Sequence, residues 1–540
     1  MSAELPVALG RTVTRVWRVH QLGPPVLLWA PALAVALAMT LPLAYLVVRG
    51  LGADSEVWGL LFRLRTLQIL IRSLVLVLTV VAVCVVIAVP LAWLTTRTDL
   101  PLRKLWAVLT FLPLVIPSYV GAFLAVVALG PRGMLQGWLE PLGVERLPSI
   151  YGFPGAALVL TLLSYPYVLL TVRAALGRLD PALEEAARGL GHSSWATFRR
   201  VVLPLLRPSI VAGGLLVGLY TLSDFGAVSL LDYETFTWAI YLQYESFNRG
   251  LAATLSLVLA LVAFGILLGE ARSRGQARYY RIGGGGMGPP KPVPLGPWRW
   301  PALLFCGAVV LLALALPLGV LAYWVVRGLA AGEPFRPVLG PALNSVYVSG
   351  LAAVATVVTS LPIAVLVVRF PGRVTAVLER LSYTGFALPG IVVALALVFF
   401  GLNLASWLYQ TLGLLIFAYV LLFLPVAVGA LRTSLLQVSP RLEEAARSLG
   451  SRPRRVLVAI TFPLIRPGIL AGGALVFLVT MKELPATLIL GPIGFKTLAT
   501  STWSFASEAF FAQAAVASLL LVLASGAMLA LLVLPERRRS

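Results

Sequence analysis

Asp224 and Glu483 lie 259 residues apart, each in a short polar break near the far end of an apolar run. Carboxylates inside or at the edge of a membrane are costly and are functional candidates by default. Oxygen donors suit a hard cation, so this pair is a candidate metal contact on a substrate path. Asp232, Tyr233, Glu234 and Tyr244 follow closely enough to assist. A purely structural role competes with this reading. Lys482 adjoins Glu483, and Arg249 is within reach of Asp224, so each acid has a salt-bridge partner to hand. Other chemistries find no foothold. His20 and His192 are isolated, and Cys84 and Cys306 both sit in apolar runs, so neither a His cluster nor a disulfide framework is expected. The glycines at 283–286 are followed by prolines and by no Gly-Lys-Ser/Thr, which argues against a phosphate loop. With no nucleophile–base pair either, a membrane-bound enzyme lacks support.

The 259-residue spacing recurs in a polar island. Its first copy reads Glu184-Glu185-Ala186-Ala187-Arg188-Gly189-Leu190-Gly191, then Leu203-Pro204 and Arg207-Pro208. The second reads Glu443-Glu444-Ala445-Ala446-Arg447-Ser448-Leu449-Gly450, then Phe462-Pro463 and Arg466-Pro467. Internal repeats decide the whole architecture when present. Asp180-Pro181 and Ser439-Pro440 each set a capping residue before a proline at the first helical position. The glutamates suit the positive helix end, and Gly191 and Gly450 are placed to stop the helix. Each island therefore predicts two short helices at an angle on the membrane surface, with a small-residue face open for contact. One copy alone reads equally well as an interface anchor. Two matched copies imply a symmetric partner with two sites.

The elements that must position these residues are membrane spans. Of 540 residues 59% are hydrophobic and only 12% charged, where soluble domains are about a quarter charged; the mean hydropathy is +0.95. The apolar runs are continuous, which predicts an all-α polytopic protein and excludes a barrel. Spans of about 20 residues fall at 26–48, 67–94, 105–129, 155–175, 210–227 and 251–268. The second set falls at 302–326, 346–368, 383–402, 412–431, 469–490 and 514–534. This makes about twelve helices, in halves 1–275 and 301–540 joined at 276–300. The docking loops are 180–208 and 439–467. The linker is floppy where glycines dominate and stiff where prolines follow.

A net charge of +21 reflects arginines gathered in short loops, which is positive-inside bias and not a nucleic-acid surface. It places both termini, both islands and the linker in the cytoplasm. The loop with Arg49, Arg63 and Arg65 falls outside yet is basic, the one exception. The N-terminus lacks a cleavable signal pattern, so the first span is expected to be retained. About six spans per half returns the chain to its starting side, so the duplication is parallel and a path runs between the halves. Inverted repeats need an odd number per unit.

The pattern Glu185-Ala186-Ala187, Gly191, Val201-x-Leu203-Pro204 and its partner Glu444-Ala445-Ala446, Gly450, Ile460-x-Phe462-Pro463 resembles the cytoplasmic signature of permease subunits of binding-protein-dependent ABC importers. The resemblance covers nearly the whole chain, as a fused two-half permease. It implies that the first helix of each island docks in a groove of an ATPase dimer, which holds the ATP and Mg. It also implies an extracytoplasmic solute-binding protein as partner, no cofactor in this chain, and a place in the cytoplasmic (inner) membrane in contact with lipid. The stretches Leu222-Ser223-Asp224-Phe225-Gly226-Ala227-Val228, Tyr233–Thr237 and Met481-Lys482-Glu483-Leu484-Pro485-Ala486-Thr487-Leu488 are similar to those of ferric-iron permeases, which makes Fe(III) the expected substrate. Thiamine, sulfate or phosphonate are alternatives within the class. An ion-coupled secondary transporter is the alternative outside it, and the double island argues against that.

Overall fold

The computed structural model describes residues 26–52, 59, 63–131, 133–144, 146–273, 292–333, 338–386, 388–451 and 453–533. The basic N-terminal tail, the Gly-rich linker at 274–291 and the C-terminal arginines lie outside them.

Lipid offers backbone groups no hydrogen-bond partner, so an apolar chain satisfies them within helices. The first half contains α1 (Val26–Leu51), α2 (Leu64–Arg97), α3 (Ser118–Leu129), α4 (Phe153–Arg178), α5 (Pro181–Gly189), α6 (Leu203–Ser223), α7 (Gly226–Leu230), α8 (Phe236–Glu245) and α9 (Arg249–Ser273). The second contains α10 (Arg299–Val310), running through a π turn at Leu311–Ala315 into α11 (Leu316–Ala330), then α12 (Leu339–Arg369), α13 (Gly390–Asn403) and α14 (Leu412–Gln437). After these come α15 (Pro440–Ser448), α16 (Phe462–Met481), α17 (Pro485–Leu490), α18 (Leu498–Ser507) and α19 (Phe511–Val533). Among the described residues the only β pairing is an isolated bridge between Thr98 and Val293. Among the described residues, eleven helical stretches are long and apolar enough to cross a membrane, one of them, Ser118–Leu142, only by joining α3 to the short helical turns that follow it, and Gly390–Asn403 is a shorter apolar one.

The duplication is carried helix by helix. α4, α5, α6 and α7 start at 153, 181, 203 and 226, and α14 to α17 start at 412, 440, 462 and 485, the same 259-residue offset each time. α2 and α12 end at 97 and 369, and α3 and α13 start at 118 and 390. The repeat is therefore gapless from α4 to α7, and loop lengths change only outside it.

Two pairs of expected spans differ from the structure. The runs at 105–129 and 383–402 are not single helices. The chain breaks near Pro113 and Pro117, and again before Gly390, so the helices proper are α3 and α13. A proline lacks the N–H that a helix interior needs. At 1.5 Å per residue their 12 and 14 residues reach only about 20 Å, less than the roughly 30 Å hydrocarbon layer. Both are enclosed, with Tyr119–Leu124 and Ile391–Val398 all buried. The irregular backbone before α3 is held by α4: Tyr165 Oη donates to Thr110 O (2.6 Å) and Arg173 Nη1 to Ala107 O (2.8 Å).

The second correction concerns the helices after the islands. Instead of a separate short helix followed by a new span, Ser194–Ser223 forms one continuous rod, as does Leu457–Met481. Each passes through a π turn, at Phe198–Val202 and Leu457–Thr461, immediately before the Leu-Pro or Phe-Pro pair. A π turn absorbs the extra residue and the donor that proline removes. Each rod stops early, at Ser223 or Met481, and a bent segment follows before α7 or α17.

Packing ties the halves together by exchange. α1 lies against α12 and α13 of the other half as well as against α9, and α11 lies against α3 as well as against α19. Within each half, small residues let helices approach closely. A Cβ on Gly213 would sit 2.4 Å from Thr171 Oγ1, and one on Gly468 2.3 Å from Ser434 Cβ.

Candidate functional site

Each island folds into an elbow. Asp180 caps α5, its Oδ1 accepting from Ala182 N at 3.0 Å; Ser439 is in the same place on α15 but makes no side-chain cap bond. Both elbows end alike. Gly191 and Gly450 have φ of +88° and +83°. The N–H of Gly191 donates to Arg188 O and that of His192 to Ala187 O, with Gly450 to Arg447 O and Ser451 to Ala446 O in the second copy. This is a Schellman closure, which favours glycine because it needs the left-handed region.

The two glutamates of each island part company. Glu184 and Glu443 turn inward and are buried, whereas Glu185 and Glu444 are exposed. Glu184 meets Arg97 Nη2 at 3.4 Å and Arg188 at 3.4 Å. Glu443 meets Arg369 Nη2 at 2.9 Å, Arg447 at 3.8 Å, and accepts from Thr461 Oγ1 at 3.0 Å. Arg97 and Arg369 end α2 and α12. Each also donates to the carbonyl just ahead of the elbow, Leu179 O at 3.1 Å and Val438 O at 3.2 Å. A long membrane helix is thus bolted to each elbow through a buried ion pair. In the sequence these arginines read only as positive-inside charge; their place at equivalent ends of α2 and α12 is the available signal.

The outer face of each elbow is apolar at its ends. Leu183 and Leu190 are 48% and 82% exposed, and Leu442 and Leu449 are 50% and 87% exposed. Ala186 and Ala445 lie between them on the open side, while Ala187 and Ala446 face inward. Pro204 and Pro463 stand behind the elbows, in the first turn of α6 and α16, just past the π turns. Exposed leucines repeated symmetrically on water-facing helices mark a surface meant for covering.

The second constellation is at the bends after α6 and α16. Asp224 Oδ1 accepts from Ala227 N (2.9 Å) and Val228 N (3.4 Å), so it caps α7. Glu483 Oε1 accepts from Ala486 N (3.1 Å) and caps α17 in the same way. Ser118, the first residue of α3, hydrogen-bonds Asp224. Its counterpart Gly390 lies so close to Glu483 that a Cβ there would meet Oε1 at 2.7 Å. The expected salt bridges are not what holds these acids. Lys482 instead donates across the halves to Leu114 O at 2.9 Å, in the irregular segment before α3. Arg249 lies in a separate cleft with Tyr244.

The bends meet at the boundary between the halves. A Cβ on Gly226 would come 2.7 Å from Tyr119 Cβ and 3.2 Å from Leu484 Cδ2, so only glycine fits there. Trp503 Nε1 donates to Ser229 Oγ at 3.2 Å, and its ring lies 5.9 Å from that of Phe225. Of the remaining sequence candidates, Glu234 is engaged by Arg65 (3.0 Å) and Arg72 (3.3 Å), and Tyr233 Oη donates to Arg72 O. Arg65 is one of the bases in the loop that broke the charge rule, and Glu234 is its counter-charge. Asp232 is exposed with φ +50°. Among the described residues, no group of three or more His, Cys, Asp or Glu gathers as a metal cage. The six candidates thus divide into two cap carboxylates at the boundary, Glu234 and Tyr233 held by α2, an exposed Asp232, and Tyr244 apart from all of these.

The model of the family described as "Binding-protein-dependent transport system inner membrane component" matches residues 85–271 and again 350–539. The Fe(3+)-transport system permease protein FbpB 2 of Haemophilus influenzae is 36% identical over 93% of this chain and 97% of its own. The ferric transport system permease protein FbpB of Actinobacillus pleuropneumoniae is 26% identical over 81% of this chain and 66% of its own. The molybdenum transport system permease protein ModB of Escherichia coli K12 is 32% identical, over 38% of this chain and 93% of its own.

Proposed function

Because the chain belongs to the family of binding-protein-dependent transport system inner membrane components, we propose that it is the fused two-half permease of an ATP-driven importer of Fe(III). The relative that matches it end to end carries that substrate in its name, and the paired bends offer oxygen donors suited to a hard cation. An extracytoplasmic binding protein delivers the ion to the face opposite the elbows. A dimeric ATPase, holding ATP and Mg, grips both elbows from the cytoplasm, where both termini also lie.

The observation that carries the reading is the pair of elbows, each presenting an exposed Leu-Ala-Leu face and each bolted by a buried ion pair to a membrane helix. When the ATPase subunits close, they draw α5 and α15 together. The Arg97–Glu184 and Arg369–Glu443 pairs pass that displacement to α2 and α12, and the bends between the halves open to one side or the other. Such coupling needs two global states with different affinity for the partner's closed form. Asp224 and Glu483 each set carboxyl oxygens beside the boundary while capping a short helix. In this role they receive the cation and also hold the bends in shape.

The test is reconstitution in vesicles with the ATPase and the iron-loaded binding protein. Uptake of radiolabelled iron should require both partners and ATP. Uptake without the ATPase, or labelling of a cysteine at Leu190 from the binding-protein side, would overturn the reading.

A further inference from the structure

A cleft of about 190 Å³ opens between the halves at the end of the bundle opposite the elbows, lined by Tyr45, Arg49, Tyr244, Arg249, Phe399 and Asn403 among others. Arg49 is in the last turn of α1 and Arg249 is the first residue of α9. The remaining wall comes from α13 of the second half. No carboxylate lines the cleft, and no described carboxylate is within ion-pair distance of either guanidinium.

Three features make this cleft electropositive by construction. Two guanidiniums share one small space with no carboxylate in its lining. Arg249 adds its charge to the positive end of a 25-residue helix, where a cation is unfavourable unless an anion joins it. Arg49 is also stacked on Phe399, 5.8 Å from the ring centroid, which fixes its direction.

The pseudo-symmetric position supplies a control inside the same molecule. There Phe511 stands at the start of α19 where Arg249 starts α9. Phe511 packs against Trp324 (5.4 Å) and Phe123 (5.9 Å), and Arg327, near the end of α11, stacks on Trp324 at 4.8 Å. Where the fold needs only filling, it uses aromatics and a single, ring-covered cation. The second arginine occurs on one side alone, with Phe511 in its place on the other, so packing does not require it.

We propose that the cleft is an oxyanion site that takes a phosphate group between Arg49 and Arg249, with the Tyr244 hydroxyl beside it. Guanidinium forks match phosphate oxygens bidentately. The group comes either from free phosphate or from the headgroup of an anionic lipid, and α1 next to the site shows a lipid-facing flank at Val47 and Val48, 47% and 67% exposed. Because Tyr45 and Phe399 close the cleft across the halves, with ring centroids 4.7 Å apart, a bound phosphate favours the arrangement in which the cleft exists.

The experiment uses the full chain purified in detergent and in nanodiscs. Inorganic phosphate is titrated calorimetrically, and retained phosphatidylglycerol is counted by native mass spectrometry. Wild-type protein should bind at least one probe at one site. Arg49→Gln combined with Arg249→Gln should weaken it at least tenfold, while Arg299→Gln, outside the cleft, leaves it unchanged. The conservative Arg249→Lys keeps partial binding and reports whether the double variant lost the site and not its fold. Phosphate binding in detergent identifies a free anion; lipid retention that phosphate does not displace identifies a headgroup. Wild-type protein that binds neither probe, or a double variant that binds as tightly as wild type, would overturn the proposal.

Discussion

At the scale of single residues, the informative pairs are Asp224 with Glu483 and Arg97–Glu184 with Arg369–Glu443. Each of the first two uses one oxygen as a helix cap, so charge and capping can be separated. Asp224→Asn keeps an acceptor, whereas Asp224→Ala removes it at a cost of about 1 kcal/mol. If the carboxylate serves the ion, Asp224→Asn and Glu483→Gln should fold and bind the ATPase normally yet lose most iron uptake. Uptake equal to wild type in both would leave the acids with the capping role alone. For the clamps, removing one partner strands a buried charge, a loss on the order of 3 kcal/mol. Arg369→Met or Glu443→Gln alone should lower the unfolding temperature of the detergent-purified protein and uncouple ATP hydrolysis from uptake. The double variant should recover much of the stability but not the coupling, which a double-mutant cycle measures.

Among the elements, the elbows carry the most testable geometry. Leu190→Asp with Leu449→Asp places charge on both exposed faces without touching the ion pairs behind them. The permease should stay monodisperse while the ATPase no longer co-purifies. Gly450→Ala forces a side chain into φ +83°, at about 1 kcal/mol. It should reduce ATPase stimulation more than it reduces thermal stability, because the strain sits at the coupling turn. The rods α6 and α16 depend on close approach to α4 and α14. Gly213→Leu and Gly468→Leu should therefore impair assembly outright, seen as loss of a single peak on size exclusion.

For the whole molecule, the exchange of first helices is decisive. α1 rests on α12 and α13, and α11 on α3, so each half completes its wall with a helix of the other. Expressed as separate chains, 1–275 and 301–540 should assemble, and a tag on one should recover both. Deleting α1 from the first chain should abolish that recovery. Assembly that survives the deletion would mean the central contacts at Gly226 and Lys482 suffice.

The all-α membrane class, the duplication, the paired elbows and the glycine that closes each one are legible in the residues alone. These follow from local causes: hydropathy over a span's length, a cap and a proline at a helix start, and a residue that tolerates positive φ. Tertiary structure alone decided which glutamate of each Glu-Glu pair faces outward, because that depends on where Arg97 and Arg369 come to rest. It also decided that the runs at 105–129 and 383–402 break into short enclosed helices. Hydropathy sees their apolar content, but backbone broken within the membrane is tolerated only where other helices supply its hydrogen bonds, as Tyr165, Arg173 and Lys482 do here. Those donors lie 55, 66 and 368 residues away from their acceptors, and no local pattern records contacts at such separations.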